Sequence, residues 1–157
     1  MNASAPLRVV LVEPEIPPNT GNVARLCAST GAELHLVEPL GFKMDDSTLK
    51  RAGMDYWQHC RWKNWPNFDS LRASYPESRF FFFTTKTQRV YWEVKFTPGD
   101  FLVFGRETKG LPESLLRQNE PWCVTLPMPG EGSRSLNLAV AAGIGLYEAL
   151  RQIRFGT

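Results

Sequence analysis

The chain has 157 residues, 43% apolar and 22% charged, with a formal net charge of +2. That length suits one domain with its own core, and the apolar share excludes a disordered chain. The near balance of 18 basic and 16 acidic residues excludes the strong basic excess that by itself marks a nucleic-acid binder, and leaves such a partner open.

In chain order, Leu7–Glu13 is a near-continuous apolar run of strand length, after which Pro14, Pro17 and Pro18 force a loop. Thr20–Thr30 has helical spacing, with Val23, Leu26, Cys27 and Thr30 on one face and Gly31 as its stop. Ala32–Val37 reads as a second strand and Asp46–Ala52 as a short helix. Tyr56–Trp65 shows no clean period and reads as irregular or a short strand. Arg79–Thr85, Asp100–Gly105 and Trp122–Leu126 are further strands, and Ser135 to Ile153 is the longest helix. Strands apolar on both faces, separated by helices, imply an α/β fold with a mostly parallel sheet covered on both sides. No linker or repeat divides residues 1–157, so a single domain is expected.

Several chemistries are set aside. Cys27, Cys60 and Cys123 stand isolated, with neither metal-ligand nor redox spacing, and read as small buried thiols. No metal is expected. His35 falls within an apolar strand and reads as a satisfied structural histidine. Met1–Leu7 lacks the pattern of a signal peptide and no apolar run spans a bilayer, so a cytoplasmic home and no membrane partner are expected. The turn after the first strand reads Pro14-Glu15-Ile16-Pro17-Pro18-Asn19-Thr20-Gly21-Asn22, without the glycine pattern of a dinucleotide-binding turn.

Three clusters of small polar residues close apolar runs: Asn19–Arg25, Phe104–Leu111 and Ser133–Asn137. Glycines permit close backbone approach and helix N-termini offer free N–H groups, so three such loops suggest one composite ligand site. In the last helix, Leu136, Val140, Gly143, Tyr147 and Leu150 share a face at helical spacing. Gly143 and Gly145 each cost about 1 kcal/mol relative to Ala in a helix interior, which suggests tight packing across that helix, within the chain or at a subunit interface.

Taken together, Glu13–Asn22, Glu38-Pro39-Leu40-Gly41-Phe42, Arg51-Ala52-Gly53-Met54-Asp55-Tyr56 and Ser133-Arg134-Ser135-Leu136-Asn137-Leu138 resemble the SPOUT superfamily of RNA methyltransferases. Their order is similar to that of the tRNA (cytidine/uridine-2′-O-)-methyltransferases of the TrmL (YibK) type, from about Leu7 to Arg151. The resemblance implies a deep C-terminal trefoil knot between roughly Phe80 and the last helix, S-adenosyl-L-methionine as cofactor, and a homodimer whose site is completed near the interface. It implies methylation of the wobble ribose, nucleotide 34, in the anticodon stem-loop of tRNA, with leucine isoacceptors expected. Another RNA site, or a silent RNA-binding module of this fold, stands as the alternative. A silent module predicts loss of Arg25, Ser135 or Asn137, and all are present.

On the matching positions, Phe83, Gly105, Leu126, Met128, Ser135, Leu136 and Asn137 would contact the cofactor. The residue chemistry agrees. Leu126-Pro127-Met128-Pro129 supplies a stiff apolar wall for adenine, Gly105 removes a side chain where strand meets ligand, and Ser135 can cap the last helix or bind polar ligand atoms. Phe83 reads as core on composition alone. Arg25, Arg134 and Tyr147 are the implied catalytic residues, and Asn19, Asn22, Arg25, Glu107 and Arg134 the implied substrate contacts. A guanidinium is effectively never deprotonated in proteins, so Arg25 reads better as a fixed cation for a phosphate and a developing oxyanion than as a base. Arg134 would hold RNA or the cofactor carboxylate, Tyr147 would orient the nucleotide or a loop, and Glu107 would fix loop geometry or bond Asn22. Lys43, Lys50, Arg51, Lys86, Arg89 and Arg154 are candidate phosphate contacts, each alone equally readable as a solvated charge. Arg106 stands where this group often has Pro, and Ala139 where Ser is common.

Overall fold

The computed structural model describes residues 5–44 and 54–154. The expected helix Asp46–Ala52, the first half of the Arg51–Tyr56 motif, and Lys50 and Arg51 lie outside the described residues.

Six strands form one sheet: β1 (Arg8–Val12), β2 (Glu33–Val37), β3 (Trp62–Trp65), β4 (Phe80–Phe83), β5 (Phe101–Phe104) and β6 (Cys123–Val124). Their order is β3-β2-β1-β5-β4-β6 and every pairing is parallel. Parallel pairing needs crossovers, and helices α1 (Pro17–Thr30), α2 (Phe68–Ser74), α3 (Glu113–Gln118) and α4 (Leu138–Arg154) cover the two faces.

Strand alternation decides which helix meets which residue. Val9, Leu11, Leu34, Leu36, Phe81, Phe83, Leu102 and Phe104 point to the side that holds Val23 and Cys27 of α1 and Ala142 and Leu146 of α4. Val10, Val12, Phe80, Phe82, Phe101 and Val103 point to the other side, against Phe68 and Leu71 of α2 and Leu116 of α3. The phenylalanine runs of β4 and β5 stack across strands on both faces. Phe80 lies 4.2 Å from Phe101, and Phe83 lies 4.6 Å from Phe104. Burying each such ring contributes about 1.5–3 kcal/mol.

The expected strands are present with trimmed ends. The first helix starts earlier, at Pro17, because proline loses nothing at a first helical position. It ends at Gly31, whose φ of 78° is left-handed and whose N–H donates to the Cys27 carbonyl at 2.9 Å. Pattern reading misses α2 and α3, which span seven and six residues, too short for a clear period. A cap signal for α2 was available, since the Asn67 side chain accepts from the Ser70 N–H. Tyr56–Trp65 resolves into a 3₁₀ turn, Met54–His59, and edge strand β3. Cys27 and Cys60, distant in sequence, meet: their interaction, together with burial, pushes the Cys27 thiol pKa up and, against burial, brings that of Cys60 down.

His35 is only 2% exposed and is fully bonded. Its Nδ1 accepts from the Trp65 indole N–H at 2.9 Å, which puts the ring proton on Nε2, 3.2 Å from Glu33 Oε1. Burial lowers the His35 pKa below its ordinary 6.5, outweighing the Glu33 carboxylate, which raises it. The unfolded chain therefore takes up a proton, as pH falls through 6.5, that the folded chain does not. Stability is complete above that pH and declines below it, until the lower folded value is reached. Acidifying from pH 7.5 to 5.5 is expected to lower the Tm of the wild type, and less that of His35→Asn, which keeps an acceptor for Trp65. Parallel Tm profiles for the two proteins would count against this assignment.

Candidate active site

β1 and β5 lie side by side, and the connections from their C-terminal ends leave in opposite directions, towards β2 and β6. Such a divergence opens a crevice at the C-terminal edge of a parallel sheet. The three polar clusters all reach this edge.

The start of α1 is incomplete by itself. Ile16 provides no side-chain cap and the first turn holds no acid. Glu107, from the loop after β5, supplies both. Its carboxylate accepts from the Glu15 N–H at 2.8 Å, the Ile16 N–H at 2.9 Å and the Asn19 side-chain amide at 3.2 Å. Glu15 reciprocates, accepting from the Thr108 hydroxyl at 2.8 Å and its N–H at 3.1 Å, and these bonds hold its carboxyl below the usual range. The Asn19 oxygen accepts from the Asn137 amide at 3.0 Å. The Asn137 oxygen in turn accepts from the N–H groups of Ala139 and Val140, at 2.8 and 3.2 Å, and so caps α4.

Two sequence readings are corrected here. Glu107 bonds Asn19, not Asn22, which lies exposed one helical turn further along α1. Asn137, not Ser135, is the cap of α4, because that helix begins at Leu138, later than the pattern suggests. Ser135 instead accepts at its carbonyl from the Ser133 hydroxyl at 2.7 Å.

Gly105 also has a different reason from the one read in sequence. A Cβ there would sit 2.2 Å from the Gly110 carbonyl carbon and the Leu111 nitrogen. The space is used by the loop's own backbone, where Arg106 and Gly110 exchange N–H···O bonds of 3.2 and 2.9 Å, with Gly110 at φ 68°.

Between these loops lies a cleft of about 530 Å³. Phe83, Gly105, Leu126, Met128, Ser135, Leu136 and Asn137 line it, as do Asn19 and Glu107. The apolar wall is extended by Phe104 and Leu138, and the polar side by Thr84, Thr108 and Ser135. Thr84, Lys86 and Arg106 are lining residues that sequence reading did not assign to this cleft's ligand; the polar run after the phenylalanines of β4 was the signal for the first two, and Arg106 lay within the Phe104–Leu111 cluster. Asn22, Arg25, Arg134 and Tyr147 are exposed and stand outside the lining of this cleft in one chain.

α4 divides in two. Leu138, Ala142, Gly145, Leu146 and Ala149 face the sheet. Gly145 is required, since a Cβ would lie 3.0 Å from the Phe83 ring. The face of Val140, Gly143 and Tyr147, read in sequence as packing within the chain or at a subunit interface, is the outer one in the single chain: Val140 is 50% and Tyr147 52% exposed, and a Cβ on Gly143 would meet nothing among the described residues. Among the described residues, no group of three His, Cys, Asp or Glu side chains is placed to hold a metal, and no helix is long and apolar enough to cross a membrane.

Residues 6–147 match the model of the SpoU rRNA methylase family. The chain belongs to that family. It is 46% identical over 150 residues to a tRNA (cytidine(34)-2′-O)-methyltransferase of Aeromonas hydrophila, covering 95% of this chain and 96% of that one. A protein of the same name from Burkholderia pseudomallei is 49% identical over 151 residues, covering 94% and 96%. A structure solved for insight into the 2-OH methylation of C/U34 on tRNA superposes with a TM-score of 0.89 at 44% identity, over 94% of this chain and 96% of that one. The SpoU methyltransferase AviRb from Streptomyces viridochromogenes, in complex with AdoMet, gives a TM-score of 0.81 at 26% identity, over 97% of this chain and 59% of that one.

In this SpoU family member the bonds of Glu107 tie the loop after β5 to α1. Glu107→Ala would leave the N–H groups of Glu15 and Ile16 without acceptors, at about 1–3 kcal/mol for a buried donor and less where water enters. Urea unfolding is expected to show a lower midpoint for Glu107→Ala, with Glu107→Gln intermediate because one oxygen remains. Unchanged midpoints in both would show that the bonds add nothing to stability.

Proposed function

We propose that this chain is a tRNA 2′-O-methyltransferase that uses S-adenosylmethionine to methylate the wobble ribose, cytidine or modified uridine 34, with leucine isoacceptors among its substrates. The observation that carries this reading is the cleft at the sheet's C-terminal edge, built jointly by the three polar clusters in a chain of the SpoU family. Near-full-length relatives named for cytidine 34 support the nucleotide.

The cleft suits the cofactor. A volume of about 530 Å³ matches a ligand of that size, and the pairing of an apolar wall (Phe83, Phe104, Leu126, Met128) with hydroxyl and amide groups matches a nucleoside joined to an amino acid. When bound, S-adenosylmethionine supplies an activated methyl group on a sulfonium. Phe83, Leu126 and Met128 would enclose the base, and Gly105, Ser135, Leu136 and Asn137 would meet the polar parts. The protein's remaining task is to position the ribose hydroxyl and stabilise charge as its proton leaves. Arg25 and Arg134 are the cations for that charge and the adjoining phosphate, with Tyr147 orienting the nucleotide. Asn19 and Glu107 act by holding the loops.

Because Arg25 and Tyr147 stand outside the one-chain cleft, the reading includes a homodimer. Val140, Gly143, Ile144 and Tyr147 offer an exposed apolar stripe on α4, next to α1. It also includes the knot, with the chain after β6 threaded past the loops that follow β4 and β5, and cytoplasmic action on tRNA.

Calorimetry is expected to show S-adenosylmethionine binding without RNA. In single-turnover methylation of tRNA, Arg25→Ala is expected to lose on the order of 10²–10³ in rate with cofactor affinity unchanged, and Arg25→Lys nearly as much because the planar fork is lost. Full activity in Arg25→Ala would remove Arg25 from the reaction, and a folded protein deaf to millimolar cofactor would overturn the reading. Light scattering is expected to give a dimer at micromolar concentration for the wild type and a weakened one for Gly143→Leu, whose side chain has open space within its own chain. An active wild-type monomer would exclude the dimer.

A further inference from the structure

A second cleft, of about 500 Å³, lies beside the first, and Thr84 and Lys86 border both. Its walls come from two connections distant in sequence: the segment after β4, which brings Lys86 and Arg89, and the region of α3, which brings Arg117. Pattern reading offers Lys86 and Arg89 as two of six candidate phosphate contacts whose clustering it cannot show; folding sets them around one opening together with Arg117, which it had not singled out. We propose that this second cleft binds the sugar–phosphate backbone of the RNA substrate next to the methylated nucleotide, through Arg89 and Arg117. The inference rests on the RNA-methyltransferase reading above.

Three observations favour a phosphodiester. The first is the donor set. The Arg89 guanidinium spends one Nη1–H on the Pro121 carbonyl at 2.8 Å, which fixes the group at the rim and leaves its other N–H donors for an anion. Arg117 is exposed and makes no hydrogen bond or ion pair with another described side chain. The second is charge. Glu113 and Glu120 also line the cleft, and the Lys86 ammonium lies 4.0 Å from Glu113, so Lys86 offsets one acid while the two arginines outweigh the other. The third is position. An RNA strand that puts a ribose hydroxyl at the mouth of the first cleft must carry its neighbouring phosphates across the adjoining surface, and this polar, cation-lined opening is continuous with that mouth. Phosphate contacts hold register without reading sequence, which suits residues set back from the reacting nucleotide.

The test measures tRNA binding by the full-length protein across a salt series, cofactor affinity by calorimetry, and thermal unfolding. Arg89→Gln combined with Arg117→Gln is expected to weaken tRNA binding about tenfold or more. The slope of log affinity against log salt is expected to flatten by about one for each lost contact. Cofactor affinity and the rate at saturating tRNA should stay within twofold. Arg117→Glu alone should weaken tRNA binding with only a small loss of Tm, from placing an acid in the last turn of α3 beside Glu113 and Glu120, and Arg89→Lys should retain most of the affinity because the charge stays. Unchanged tRNA affinity and salt slope in both the double variant and Arg117→Glu overturn the proposal. An equal loss of cofactor affinity also overturns it, by making the second cleft part of the cofactor pocket. A wild type that binds cofactor but neither binds nor methylates tRNA brings down the RNA reading itself, and this inference with it.

Discussion

The two prolines that open α1 have no N–H to satisfy, but the turn leading into them presents the N–H groups of Glu15 and Ile16, and both are met by one carboxylate 92 and 91 residues away in sequence. Glu107 is that carboxylate. Because it accepts from two backbone N–H groups and the Asn19 amide together, the loop after β5 has one position relative to α1. Asn19 passes the constraint on to Asn137, which donates to it through the amide nitrogen and starts α4 with the amide oxygen. The N-termini of the two helices on one face of the sheet are thus tied to each other through side chains, and the cleft is the space those ties leave at the strand ends.

The same bonds set the electrostatics of the site. Glu15 and Glu107 lie beside the cleft that the anionic RNA must approach, where free carboxylates would repel it. Both are engaged by N–H and hydroxyl donors, so their charge is spread into fixed dipoles. Glu13, held at φ 54° at the end of β1, stands 4.0 Å from Arg106 on the opposite wall. Lys86, Arg106 and Lys109 are the cations that border the cleft. Gly105 contributes by letting the loop fold back on itself tightly, which brings Glu107 to the reach at which it can seat on α1.

Much of the fold was legible because a parallel sheet buried on both faces writes itself as apolar runs, and Phe80–Phe83 and Phe101–Phe104 are such runs. That Phe83 lines the same cleft as Gly105, Leu126 and Ser135 was legible only through the resemblance, since Phe83 on its own looks like any core phenylalanine. What escaped reading depends on distance in the chain. Nothing local at Glu107 announces that its partners are Glu15, Ile16 and Asn19, and nothing at Cys27 announces Cys60. The short helices α2 and α3 lack the length over which a period shows. The choice between Ser135 and Asn137 as cap turns on a two-residue difference in where α4 starts, finer than any pattern resolves.

The outer face of α4 carries the most information. Helical spacing gave one apolar face on that helix, and the structure shows a second. One of them, Leu138, Ala142, Gly145, Leu146 and Ala149, is taken by the sheet, where Gly145 accommodates Phe83. The other, Val140, Ile144 and Tyr147 with Gly143 between them, runs along the outside, each of the three side chains exposed over a third or more of its surface. Single exposed apolar side chains need no explanation, but a continuous stripe of them on a helix whose opposite face is already buried is the mark of a second partner. α1, which carries Arg25, packs beside α4 on the same side of the sheet. A surface that covered the stripe would therefore come down beside Arg25 and Tyr147 as well. In the proposed dimer, the burial that excess apolar area demands and the delivery of Arg25 and Tyr147, two of the four site residues that stand outside the one-chain cleft, are the same event, so assembly and a complete site would come together.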